Sequence, residues 1–388
     1  MKSSCLLTLI LTLNYYQANA QQNEKLDSAS YFYENYQFSA AINYIRENNK
    51  QEAYAQKILA KSYIQLGMQE AAIDVYTNLI ELEPENITHK VELAQLYLKL
   101  NILNEALSIF NELIELDFEN PYYWRKVAFI HQKSSSVFEA IQAYQHTLTL
   151  NPNDQESGLQ YAELLLKINQ FQLVDSVANH FLNGTYSNKV PFLKLKLKSA
   201  YIQKNYASVV STANQLFSLK DSALSTIKLV GIAEYRLGNY KESIQLLSSL
   251  LNENIDTEQI HFYLGAAYRS AKEHQMATEQ FDAAIQAGIS ENISAYYTQL
   301  AANYQEMGEY NKAIEAYKIA YESSQEKLLL YHIARAYDFY YKDKKVAINY
   351  YEKYLSFNDS SNRDYFHYSR SRVKQLKADR HFEINTSN

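Results

Sequence analysis

The sequence predicts an all-α chain, a helical solenoid of about ten helix-turn-helix repeats closed by a C-terminal capping helix. Three observations carry this reading. Windows of 34 residues starting at Ala53, Ile87 and Pro121 can be laid over one another. Their small residues then coincide, at Ala60, Ala94 and Ala128 and again at Ala72, Ala106 and Ala140. The large ones coincide too, at Leu59, Leu93 and Val127 and at Tyr76, Phe110 and Tyr144. A fixed period of this length, built from two amphipathic helices, is the mark of a solenoid. The punctuation agrees, because all four prolines (Pro84, Pro121, Pro152 and Pro191) fall at repeat seams. No run has the alternation of a strand.

Each window has a physical logic. Leu59, Ala60 and Tyr63 share one helical face. The small residue lets the second helix come close, where a bulky one would push the axes apart. Gly67 permits the left-handed backbone that ends the first helix. Pro84 ends the unit, since it lacks an N–H and disfavours helix in the residue before it. One such hairpin cannot bury its apolar face alone; stacked neighbours can.

From the N-terminus, Met1–Ala20 reads as a cleavable leader. Lys2 gives a positive start, Leu6 to Leu13 a short apolar run, and Ala18-Asn19-Ala20 a small-x-small cleavage site. The run is too short to span a membrane, and no second span follows. Cleavage would remove Cys5, the chain's only cysteine. A long solenoid needs no disulfide staple, so a periplasmic or secreted protein is expected.

A shorter repeat (Ala29, Phe32, Phe38, Ala41, Ile45) precedes the three regular ones. A fifth starts at Gln155, with Val174 and Ala178 where a small and a large residue are expected. The stretch 182–190 is the least periodic of the body, and Pro191 opens a sixth repeat that departs furthest, with Lys198 near the small position. The expected organisation is therefore residues 21–190 and 191–361 as two sets of repeats, and 362–388 as cap and tail. The break at 182–190 is either a hinge or a longer loop in one superhelix. The pattern recovers through Gly231, Gly265, Ala301 and Ala334. In the last helix Tyr365, Phe366, Val373 and Leu376 are expected to face the stack. Arg363, Arg370, Arg372, Lys374, Lys377 and Arg380 would form a basic outer face.

The spacing of small and aromatic residues, with Trp124 at the family's fourth position in one window, resembles the tetratricopeptide repeat (TPR) family. The resemblance implies a right-handed α–α superhelix whose first helices line a concave groove. Ligands of the family meet the second, fifth, ninth, twelfth and thirteenth positions of those helices. Among the residues at such positions here are Lys57, Lys61, Lys99, Arg125, Phe129 and Lys133. Further along they include Lys167, Lys228, Tyr235, Arg236, Arg269 and Arg335. The groove so implied is basic and aromatic on a chain of net charge −6, which would concentrate acidic partners. A cation at the thirteenth position also suits the C-terminal end of its own helix. The ninth position, where some members carry an asparagine that clamps a C-terminal carboxylate, holds Lys61, Gln95, Phe129 and Glu163.

Nothing in the sequence has the spacing of a metal site, a phosphate loop or a His-Glu-x-x-His motif. His131 and His261 are expected in core positions. With a pI near 5.9 there is no overall basic footprint for nucleic acid. The expected function is that of a non-enzymatic extracytoplasmic scaffold, without cofactor, that binds a peptide or protein segment. Self-association and, more remotely, a hydrolase with two carboxylates across a groove are the alternatives.

Overall fold

The structure is a computed structural model that describes residues 28–184, 188–253, 257–287, 291–357 and 362–386. The expected leader lies outside these residues, as do 185–187 of the aperiodic stretch and the side chain of Arg380. Among the described residues every regular element is a helix. Helices alternate as first and second members of ten repeats. The first five are α1 (28–34) with α2 (Phe38–Glu47), α3 (Ala53–Gln65) with α4 (Gln69–Leu82), α5 (Ile87–Lys99) with α6 (Leu103–Leu116), α7 (Pro121–Lys133) with α8 (Val137–Leu150), and α9 (Gln155–Lys167) with α10 (Phe171–Asn183). The next are α11 (Val190–Ile202) with α12 (Tyr206–Ser218), α13 (Leu224–Leu237) with α14 (Tyr240–Asn252), and α15 (Glu258–Ser270) with α16 (His274–Ala287). Then come α17 (Ile293–Glu306) with α18 (Tyr310–Ser324), and α19 (Lys327–Tyr340) with α20 (Lys345–Ser356). A single helix, α21 (Arg363–Thr386), follows. The chain forms two compact units that divide between Leu173 and Val174, inside α10.

The turn within a repeat is the same in the first nine. At Gly67 the backbone is left-handed (φ 74°), its N–H bonds the carbonyl of Ile64, and the N–H of Met68 reaches back to Tyr63. This pair of bonds satisfies carbonyls that the end of α3 would otherwise leave open. The equivalent residue is Gly238 or Gly308 in two other repeats. Elsewhere it is Tyr36, Asn101, Ser135, Asn169, Lys204 or Lys272, all with positive φ. In the tenth repeat the Lys344 ammonium takes over this work, donating to the carbonyls of Asp338 and Tyr341. At the seams Asn86, Asn120 and Asp154 cap α5, α7 and α9 through their side-chain oxygens.

The core follows the expected pattern. Ala60, Ala72, Tyr76, Ala94, Ala106, Phe110, Ala128 and Ala140 are wholly buried, and Tyr144 nearly so. The room left by a small residue on the first helix is taken by the large residue of the second. A Cβ added to Gly265 would lie 2.7 Å from the Phe281 ring, and one added to Gly231 the same distance from Leu247. The sixth repeat keeps the rule with the sizes exchanged. Leu197 is buried at the small position of α11, one residue earlier than expected, while Lys198 is exposed. Val209 and Ala213 share its core cluster, the alanine standing where other repeats carry a ring.

The cap is narrower than expected. Val373 and Leu376 are buried against α19 and α20, joined by Ser369. Tyr365 stays exposed at the rim, its ring 4.8 Å from that of Tyr331. Arg372 is not free on the basic face. Its guanidinium grips the buried Asp338 carboxylate in a fork, at 2.7 and 3.0 Å. Lys377 pairs with Glu352 at 2.6 Å.

Candidate functional site

The helix α7 starts on Pro121, whose fixed φ suits the first helical position and whose missing N–H costs nothing there. Tyr123, Val127, Ala128 and Ile130 bury its core face. The turns between carry Arg125, Lys126, Phe129 and Lys133. These four, with Tyr144 of α8 and Gln160 and Lys167 of α9, line a groove of about 570 Å³. Four cations thus face one carboxylate, that of Glu156.

Neighbouring groups hold the lining in place. Tyr144, buried, donates to the Gln132 Oε1 at 2.8 Å, and the Gln132 amide donates on to Gln160 at 2.7 Å. Arg125 reaches Asp154 at 3.4 Å and Glu156 at 3.3 Å. Lys133 lies 5.6 Å over the Phe129 ring and Lys126 5.2 Å over that of Tyr122. Burial, followed by the Arg125 guanidinium beside it, holds the Lys126 ammonium below the usual lysine range. A cation crowded by another cation is the group an incoming anion relieves most. Arg125 also lies near the Tyr122 ring, 5.8 Å from its centre.

Of the expected site residues, Arg125, Phe129, Lys133 and Lys167 converge on this groove. Lys126 was not among them; it lies at the sixth position of its helix, outside the five the resemblance points to. The signal for it is the Arg125-Lys126 doublet one turn after Tyr122. Lys57 and Lys61 are engaged elsewhere, 3.0 and 3.9 Å from Glu92 of the next repeat. Burial pushes the Glu92 carboxyl up, but the Lys57 ammonium and the Tyr76 hydroxyl at 2.8 Å outweigh it and hold the group below the ordinary range. Lys99 is exposed on α5. In the second unit Arg236 donates to the Tyr263 hydroxyl at 3.2 Å and covers the Tyr235 ring. Arg335 lies 5.6 Å over Phe339, and Lys228 and Arg269 are half-buried. His261 is buried, Nδ1 2.7 Å from the Gln280 Oε1. His131 is a correction to expectation, since it is only half-buried and borders a surface groove.

Among the described residues no group of three His, Cys, Asp or Glu side chains is placed to hold a metal ion. No described helix is long and apolar enough to cross a membrane.

Sequence models of the tetratricopeptide repeat match residues 63–128, 231–292 and 294–327. Among curated protein sequences nothing matches the chain. Solved structures similar to it include a tetratricopeptide repeat protein from Parabacteroides merdae, at 15% identity and a TM-score of 0.44, covering 65% of this chain and 98% of that one. A chain of the APC/C hetero-tetramer Cut9–Hcn1 is 13% identical with a TM-score of 0.44, over 89% and 83% of the two chains. Yeast Tom70 is 11% identical with a TM-score of 0.40, over 92% and 96%.

Proposed function

Because this chain belongs to the tetratricopeptide repeat family, we propose that it is a non-enzymatic binding scaffold that receives an acidic segment of a protein partner in the groove between α7 and α9. The observation that carries this is the meeting of Arg125, Lys126, Lys133 and Lys167 around the exposed Phe129 ring, where Glu156 is the one lining carboxylate and Asp154 answers Arg125 only. Cations in a cleft raise the local concentration of carboxylates. A ring among them supplies an anchor with little side-chain entropy to lose. Lys57 and Lys61 have a smaller part, because Glu92 already answers them. The leader pattern in residues 1–20 supports an extracytoplasmic location.

A labelled glutamate-rich peptide titrated into the purified protein tests the reading. Binding should weaken at least tenfold in Lys126→Glu/Lys133→Glu and steeply between 50 and 200 mM salt, about the range over which screening shortens to 10 Å or less. Capture from cell-envelope extract with the same pair of proteins should then recover the natural partner on the unmutated chain alone. Equal binding by both proteins would remove the groove from the account.

A further inference from the structure

The helix α7 has a second exposed edge. Trp124 and His131 stand on it, seven residues apart and so on nearly the same side of the helix. With Asn111 of α6 and Gln142, Gln145 and His146 of α8 they border a separate groove of about 630 Å³. Its chemistry is unlike that of the basic groove. None of the described residues lining it is Lys or Arg, and Glu139 is its one carboxylate. Its aliphatic lining, Val127 and Ala143, is buried in the core, so the accessible apolar surface is that of the rings.

What the groove does offer is amides and rings. Asn111, Gln142 and Gln145 each carry a donor pair and an acceptor, and all three are exposed. The rings are fixed in place. Trp124 Nε1 donates to the Phe118 carbonyl at 2.9 Å, and the indole stacks on His146 at 4.4 Å with 22° between planes. Phe118 closes on this pair edge-on, 5.3 Å from the Trp124 ring. A ligand that suits such a lining is uncharged, rigid and rich in groups that both donate and accept, with a flat C–H face to lay on a ring. Hydroxylated sugar rings have all of these properties. A peptide has the donors and acceptors but not the rigid C–H face that suits a ring, and an anion needs cations.

We propose that this groove is a saccharide-binding site for a neutral oligosaccharide of two to a few units, separate from the basic groove on the same helix. The volume is of the order found for small-molecule sites, roughly 300–1,000 Å³.

The chain's single tryptophan stands in the groove, so its emission reports on this site. The purified protein is titrated with an array of neutral di- to tetrasaccharides, followed by Trp124 fluorescence and in parallel by calorimetry. A saturable response to at least one saccharide is expected. It should weaken about tenfold in Gln142→Ala/Gln145→Ala, whose side chains are exposed and whose loss leaves the core intact. It should survive unchanged in Lys126→Glu/Lys133→Glu. No saturable response by either readout to any member of the array overturns the proposal. So does a response that the Gln142→Ala/Gln145→Ala variant retains in full, or one that only peptides elicit.

Discussion

The glycine at position 265 gives the sharpest test of how these repeats hold together. It sits inside α15, where replacing glycine by alanine ordinarily stabilises a helix by up to about 1 kcal/mol. Here the new Cβ would lie 2.7 and 2.8 Å from two carbons of the Phe281 ring and 3.1 Å from a third. Carbon atoms rest at about 3.5–4.0 Å, so the ring would have to retreat by about 0.8 Å. Phe281 is wholly buried, in a cluster that also holds Ala266, Ala277 and Leu300, and has nowhere to go. Overpacking of this kind costs about 1–3 kcal/mol. Set against the helix term, Gly265→Ala should destabilise the protein by about 1 kcal/mol. Urea unfolding followed by far-ultraviolet circular dichroism measures this, and Phe281→Leu completes the cycle. In the leucine background the added methyl group has room, and Gly265→Ala should turn neutral or stabilising. The two changes should therefore couple by at least about 1 kcal/mol. If Gly265→Ala raises the unfolding midpoint with Phe281 present, the close approach of α15 and α16 does not depend on that glycine, and the packing argument fails.

Three other outcomes follow from the same structure. Lys204→Gly should stabilise the protein by up to about 1 kcal/mol, since Lys204 is exposed with φ 58° and a side chain is disfavoured there; an unchanged urea midpoint would count against strain at that turn. Arg372→Met leaves the buried Asp338 carboxylate with Lys344 alone and should cost about 2 kcal/mol, seen as faster hydrogen exchange along α21 and not in α7. His332 is held at about 4 by burial and by Arg335, with Tyr317, Tyr331 and Tyr365 around it. Above about pH 6.5 it is neutral in both folded and unfolded chains and contributes nothing. Between there and pH 4 the unfolded chain takes the proton first, so stability falls with pH, by about 3 kcal/mol at most, and then levels off. His332→Phe should flatten that part of the pH–stability curve; an identical curve in the variant would exclude this histidine as its source.

How much of this was readable in advance varied with the physics. Repeats two to four could be recognised because Ala60, Ala94 and Ala128 answer to Tyr76, Phe110 and Tyr144, and a core of that kind leaves its sizes in the sequence. The sixth was harder, since Leu197 against Ala213 fills the same space with the sizes reversed, and volume can be shared between two helices in more than one way. Turns were hidden wherever Lys204, Lys272 or Ser135 adopts the left-handed backbone that glycine would mark. For the groove, the doublet at 125 and 126 carried half the charge, yet only the first residue fell at a position the resemblance singles out. The engagement of Lys57 by Glu92 could not be read at all. It depends on how one repeat is rotated against the next, and no residue spacing encodes that angle.

The sameness of the three regular repeats has a consequence for how such a chain can change. Each presents to its neighbour the face that its neighbour presents to the one after. Excising residues 87–120 would join Glu85-Asn86 to Pro121 with the surfaces at the new junction already matched, and copying that segment would do likewise. Length along this part of the molecule therefore comes in steps of one hairpin, and a lineage could lengthen or shorten its reach in a single event without first inventing a new interface.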